Sequence, residues 1–355
     1  MKMVLIKDYL CFFFNKLIIN TMRSFVQYFK KDYIASLINY REGEEKFGQT
    51  LQVSADGDLS SFQGKFVILG IAEDIGIRAN HGMAGAASAF RSFIKSLVNI
   101  HNSRDLNGDQ FLLLGKIRTG DLMEESQNAD IETLRQLTEK LDELVFPVIQ
   151  QIVQAGKIPI VIGGGHNNVF PILKGCSLAC NQSINTINLD AHADFRPTEG
   201  RHSGNGFRYA YEAGFLKKYA LLGLHHAYNN ELIIDELNEN PDFLPIMFED
   251  IFLRRKETWE QAKRRAIDFV KTNRFGVELD VDSLENLLSS AWSSVGVSSD
   301  ESLNYLYNCG KEPQVCYLHI TEAVYKRSDG MENVLIGKLI NYMVQAFCRG
   351  VQEQG

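Results

Sequence analysis

Short apolar runs closed by glycine or by a polar cluster recur along this chain, and stretches with helical spacing lie between them. The clearest runs cover residues 66–70, 111–115, 158–163, 184–189, 220–223, 275–280 and 315–320. Their length and their content of Val, Ile, Leu and Phe predict buried strands. Between them, residues 131–155 set Leu134, Leu137, Leu141, Leu144, Val145 and Val148 at helical intervals. Residues 84–99, with Ala86, Ala87, Ala89, Phe90 and Phe93, and residues 256–271 do the same. Such alternation predicts an α/β fold in three α-β-α layers around a mostly parallel sheet. In that architecture ligands bind beyond the carboxyl ends of the strands, so the polar residues that follow each run carry the functional information.

Composition narrows the picture. With 45% hydrophobic residues, 23% charged residues and 22 Phe in 355 residues, the chain has ample material for a core. A formal net charge of -7 argues against nucleic acid, whose neutralisation needs concentrated Lys and Arg. The clusters at 254–256 and 263–265 read as a solvated helix face. Cysteines at 11, 176, 180, 309, 316 and 348 form no CxxC pair, which predicts a reduced, cytoplasmic setting. Cys176 and Cys180 can face each other on a helix, as buried thiols or as a redox pair. The apolar stretch at 9–14 is interrupted by Asn15 and Lys16 and is too short to span a membrane. It lacks a small-residue cleavage site, and Met22 offers an alternative start. Residues 1–50 are therefore read as an N-terminal extension or arm, and residues 51–355 as the main domain.

Three of the runs deliver dense Asp and His. Gly163-Gly164-Gly165-His166 places an imidazole at a strand mouth through a tight turn. Asp190-Ala191-His192-Ala193-Asp194 puts two carboxylates and an imidazole on one side of an extended segment. Asp280-Val281-Asp282 adds two more carboxylates. Four aspartates pressed together repel and take up protons unless cations are present. Two divalent ions bring +4 against the -4 of Asp190, Asp194, Asp280 and Asp282. Oxygen ligands with two histidines and no thiolate favour Mn²⁺ over Zn²⁺ and leave Fe²⁺ and Co²⁺ open. Two such ions about 3.5 Å apart activate water near neutral pH, so hydrolysis is the natural reaction class.

Together the three motifs resemble the metal motifs of the arginase, agmatinase and formimidoylglutamase (ureohydrolase) family in order and spacing, over roughly residues 60–345. The resemblance implies an arginase-like sheet of about eight strands and a catalytic domain at 51–355. It also implies two Mn²⁺ per subunit. His166, Asp190, Asp194 and Asp280 would hold one ion, and Asp190, His192, Asp280 and Asp282 the other, with Asp190 and Asp280 bridging. The family's amidine-contacting glutamate falls on Glu322, although the Asn-Pro that commonly follows it is missing here. The loop Ser203-Gly204-Asn205-Gly206-Phe207 resembles the substrate loop of arginases, with Phe207 where those carry a proton-shuttling histidine.

Arg196 looks like the Arg of agmatinases and formimidoylglutamases, and its planar fork suits a substrate carboxylate. Gly165 resembles formimidoylglutamases, where arginases have aspartate. The implied activity is therefore a formimidoylglutamase of histidine degradation, which converts N-formimidoyl-L-glutamate and water to L-glutamate and formamide. Arg196, Ser203, Asn205 and Glu322 would bind substrate, and Asp194 and Glu322 would act in catalysis. Arginase, agmatinase or another guanidino-compound hydrolase is the alternative. A noncatalytic metal-stabilised oligomeric scaffold is the alternative of another class. The partners implied are a small amidine or guanidino substrate and further copies of the chain, with no nucleic acid and no membrane. Glu278 replaces a small residue of the family motif and is read as a supporting acid or an extra ligand. His81, His202, His225 and His226 read as ordinary loop histidines.

Overall fold

The computed structural model describes residue 22 and residues 24–354; residues 1–21, with the apolar stretch at 9–14 and Cys11, lie outside the described residues. Among the described residues ten strands form one sheet: β1 Val26–Gln27, β2 Gln52–Val53, β3 Phe66–Gly70, β4 Phe111–Ile117, β5 Ile158–Ile162, β6 Ile184–Leu189, β7 Leu216–Leu224, β8 Phe243–Met247, β9 Phe275–Asp280 and β10 Val315–Thr321. Their order is β1-β4-β3-β5-β10-β9-β6-β7-β8, with β2 also on β4. Every pairing is parallel except β1 with β4.

All seven apolar runs become strands. The expectation of about eight strands falls short of the ten found, because the added strands lie at the sheet margins. β1 and β2 have two residues each, and β8 carries Pro245, which an edge position tolerates. Residues 22–50 do not stand apart from the sheet. Val26 pairs with Ile117, and Ile34, Ile38 and Phe47 are buried in the core.

The pleat separates two cores. Along β3, Phe66 and Ile68 face one cluster while Val67 and Leu69 face the other; on β5, Ile160 and Ile162 oppose Val161. The first cluster is closed by the helices Ala89–Leu97, Trp259–Val270, Ser299–Gly310 and Ile336–Gln352. The second is closed by Ile131–Gln154 and Val169–Cys180. Asp130 caps the long helix by accepting from the Thr133 N–H, and Thr258 with Gln261 forms a capping box on Trp259–Val270. The expected helices are thus present, and they bury both faces of the sheet. Among the described residues, no helix is long and apolar enough to cross a membrane.

Candidate metal centre

Four adjacent central strands, β5, β10, β9 and β6, end side by side, and the predicted ligands follow them. After β5 the chain turns through Gly163 and Gly164, whose φ values of +90° and +79° suit glycine. A Cβ at Gly164 would collide with the Asn168 amide. Glu73, just past β3, grips this turn. Its Oε1 accepts from the Gly165 N–H at 3.0 Å and the Asn168 side chain at 2.6 Å, and its Oε2 accepts from the Ile75 N–H at 2.6 Å. Burial pushes the Glu73 carboxyl up while these bonds pull it down. Sequence reading missed Glu73, although it lies beyond a strand's carboxyl end, where functional residues are sought.

The turn delivers His166 with no solvent exposure. Its Nδ1 lies 3.1 Å from Asp190 Oδ2, 2.9 Å from Asp194 Oδ2 and 3.1 Å from Asp280 Oδ2. It makes no hydrogen bond to any described residue. A buried imidazole nitrogen ringed by three carboxylate oxygens and bonded to none of them fits a cation at their centre. Beside it, His192 Nδ1 lies 3.1 Å from Asp282 Oδ2 and 3.6 Å from Asp190 Oδ1. Two ligand groups result, His166–Asp190–Asp194–Asp280 and Asp190–His192–Asp282, with the ligand atoms of each within 4.8 Å of one another. Asp190 is shared by both. Asp280 falls in the first group and stands two residues from Asp282 of the second.

Electrostatics tell the same story. Burial, and then the neighbouring carboxylates, push Asp194 and Asp280 above the usual range. Burial opposes charge on His166 and His192, yet the surrounding acids raise both well above an ordinary histidine. Asp190 is also pushed up by burial, but the two imidazoles outweigh that and hold it low. The cluster draws in positive charge, and a pair of divalent cations answers the same demand.

Backbone conformation supports a functional reading. Asp194 and Glu322 both adopt positive φ, +46° and +59°, which side chains other than glycine rarely do. Glu322 Oε1 accepts from the His166 N–H at 2.8 Å, whereas its buried Oε2 has no hydrogen-bond partner among the described residues. Burial is the main cause that raises its carboxyl to about 8. Both residues line a cleft of about 500 Å³ together with Asp280, Asp282, Arg196 and Ser203. Clefts of about 770 and 780 Å³ lie elsewhere and contain none of these groups, so the chemistry identifies the smaller one.

Arg196 is exposed on the cleft wall, with Nη1 donating to Asn80 Oδ1 at 3.2 Å. Asn205 does not reach the cleft. Its oxygen accepts from the His202 N–H and from Arg201, and its nitrogen donates to Pro197 and Gly200 carbonyls, all within or beside its own loop. The expectation placed Asn205 against substrate; in the structure its amide is engaged in holding its own loop. Phe207 is buried, stacked on Tyr219 at 4.2 Å and edge-on to His166 at 5.1 Å, so it packs behind the ligand. His225 stacks on Phe248 at 4.3 Å.

Fold and site define a three-layer α/β protein with a buried acid-and-imidazole cluster of candidate metal ligands at the mouth of its sheet. The chain belongs to the arginase family, which matches it over residues 64–343; formimidoylglutamases of this family hydrolyse C–N bonds in amidines. A Corynebacterium efficiens formimidoylglutamase is 34% identical over 177 residues, 49% of this chain, so the chain spans about half (50%) of that relative. A Streptococcus pyogenes serotype M3 formimidoylglutamase is 26% identical over 70% of this chain and 72% of its own length. The structure of Trypanosoma cruzi formiminoglutamase with Mn²⁺ superimposes with a TM-score of 0.68 at 22% identity, covering 88% of this chain and 100% of that one. Bacillus subtilis formimidoylglutamase gives 0.70 at 14% identity, covering 89% and 94%. These two structural likenesses speak for the fold.

Proposed function

We propose that the chain is a binuclear manganese formimidoylglutamase. The observation that carries this reading is the Arg196 guanidinium, standing on the wall of the cleft into which the Asp194, Asp280, Asp282 and Glu322 carboxyls open. His166, Asp190, Asp194 and Asp280 would hold one Mn²⁺, and Asp190, His192, Asp280 and Asp282 the other. When bound, the pair supplies a water activated for attack at neutral pH.

The remaining work falls to side chains. The free Oε2 of Glu322 accepts an N–H of the amidine and keeps its carbon facing the acids. Arg196 offers a planar fork to a substrate carboxylate, with its Nη1 already steadied by Asn80. An anionic amidine fits such a wall better than a cationic guanidino compound does. Ser203 lies beside Arg196 in the same cleft and is placed to donate to that carboxylate. Asp194, its side chain partly open to the cleft, orients the attacking water and passes a proton to the departing amine. A C–O bond forms at the formimidoyl carbon and the bond to the glutamate nitrogen breaks, leaving formamide and glutamate. The five described cysteines are free thiols, consistent with a reducing cytoplasmic setting, and assembly into a homo-oligomer belongs to the same reading.

The test is a product assay on Mn²⁺-loaded protein with formimidoylglutamate, arginine and agmatine side by side. Formamide from the first alone is the expected outcome. Urea from either guanidino compound, with no formamide, overturns the substrate, and inactivity on all three of a protein that holds Mn²⁺ favours the scaffold.

A further inference from the structure

Directly beneath the ligands lies a buried polar cluster that the reaction above leaves unused. Glu278 on β9 is completely buried. Its Oε1 accepts from the Tyr317 hydroxyl at 2.8 Å, and its Oε2 lies 2.7 Å from His319 Nδ1 and 3.4 Å from His166 Nε2. Tyr317 and His319 both sit on the neighbouring β10, where His319 is directly paired with Glu278. Gly276, two residues earlier on β9, makes room for this: a Cβ there would overlap the Tyr317 ring. A carboxylate so deeply buried is costly unless its neighbours answer it. Here a phenol and an imidazole do so on the side away from the metal centre, and that leaves one edge turned to His166.

We propose that Glu278 is the positioning residue of His166, and that Tyr317 and His319 hold it in place for that task. A neutral imidazole has one donor and one acceptor nitrogen. Nδ1 faces Asp190, Asp194 and Asp280, so a ligating His166 must keep its proton on Nε2. That nitrogen is buried and makes no hydrogen bond to a described residue, and Glu278 is the carboxylate facing it. At 3.4 Å the contact is longer than a good N–H···O bond, yet no other carboxylate oxygen among the described residues is paired with Nε2. A carboxylate behind a ligating histidine fixes its tautomer and raises its basicity.

This inference rests on the metal pair proposed above, and calorimetric titration of metal-stripped full-length protein with Mn²⁺ separates the two. Glu278→Gln keeps the shape and should weaken one of the two sites by about 10- to 100-fold, leaving the other in place. Tyr317→Phe, which removes a support and not the contact itself, should shift the same site in the same direction by less. A purely structural role would lower the melting temperature of the metal-free protein with no change in Kd, and that result overturns the proposal. So would a third Mn²⁺ per chain that disappears in Glu278→Gln, since His166, Glu278 and His319 also meet the spacing of a ligand set. Should Glu278→Gln fail to fold, Glu278→Asp and His319→Gln are titrated instead, and wild-type affinity in both is equally fatal. Wild-type protein that binds no Mn²⁺ sinks the metal-pair reading itself.

Discussion

Arg196 and His202 sit on either side of one loop and show how differently two charged residue types are used. Arg196 is exposed and free to meet a carboxylate, and a charge-assisted hydrogen bond is worth about 1.5–3 kcal/mol. Arg196→Ala should therefore raise KM for formimidoylglutamate by about ten- to a hundredfold, with kcat little changed, as steady-state kinetics would show. His202 is fully buried, and its Nδ1 accepts from the Gly204 N–H at 3.1 Å. Burial, and then the Arg135 charge, hold it down at about 4. The folded state thus prefers the neutral ring, while the unfolded chain takes up a proton near pH 6.5. Its contribution is complete above pH 6.5 and is lost as pH falls toward 4. Urea titrations should show the advantage of wild type over His202→Gln shrinking across that window, by at most about 3 kcal/mol. The sequence reads His202 only as an ordinary loop histidine, since nothing in its neighbours along the chain reveals that the loop closes over it.

The long helix Ile131–Gln154 does more than cover the sheet. Asp142 on it meets Arg201 at 2.8 Å, both almost fully buried, and burial raises the Asp142 carboxyl to about 6 against the pull of that guanidinium. Arg201 goes on to donate to the Asn167 carbonyl at 2.7 Å and to Asn205 at 3.1 Å, and its guanidinium stacks on Phe170 and Tyr209. One ion pair therefore ties the helix, the 197–205 loop and the His166 turn together. Asp142→Ala strands a buried cation and should cost about 3–5 kcal/mol in urea unfolding. The paired change Asp142→Leu with Arg201→Met should cost markedly less, because it leaves no unpaired charge. The helix itself was legible from its apolar stripe. The ion pair was not, since its partners are 59 residues apart and each reads as an ordinary polar position.

At the scale of the whole molecule, the metal centre is where folding and function meet. Six candidate ligand side chains from three strand ends converge only when β5, β9 and β6 are in register, so cations that bind them would stabilise the folded chain alone. Mn²⁺ at about a hundred times its Kd should add about 2.7 kcal/mol for each site. Calorimetry should show the melting temperature rising with Mn²⁺ and falling with a chelator. Asp190→Ala, which removes the shared ligand, should abolish both responses together with turnover. A melting temperature indifferent to Mn²⁺ in the wild type would contradict the centre.

Local pattern alone marked seven of the ten described strands, the main helices and six candidate ligand positions. Buried strands must be apolar, surface helices must be striped, and ligands for hard cations must be Asp and His at the strand ends. Tertiary structure decided what depends on distant partners. It brought Glu73 under the His166 turn, aimed Glu278 at the back of His166, turned Asn205 into its own loop and added short strands at the sheet margins. The reason is physical: a side chain's intrinsic chemistry is written in its own residue type, whereas its orientation and its protonation are set by whatever the fold packs against it.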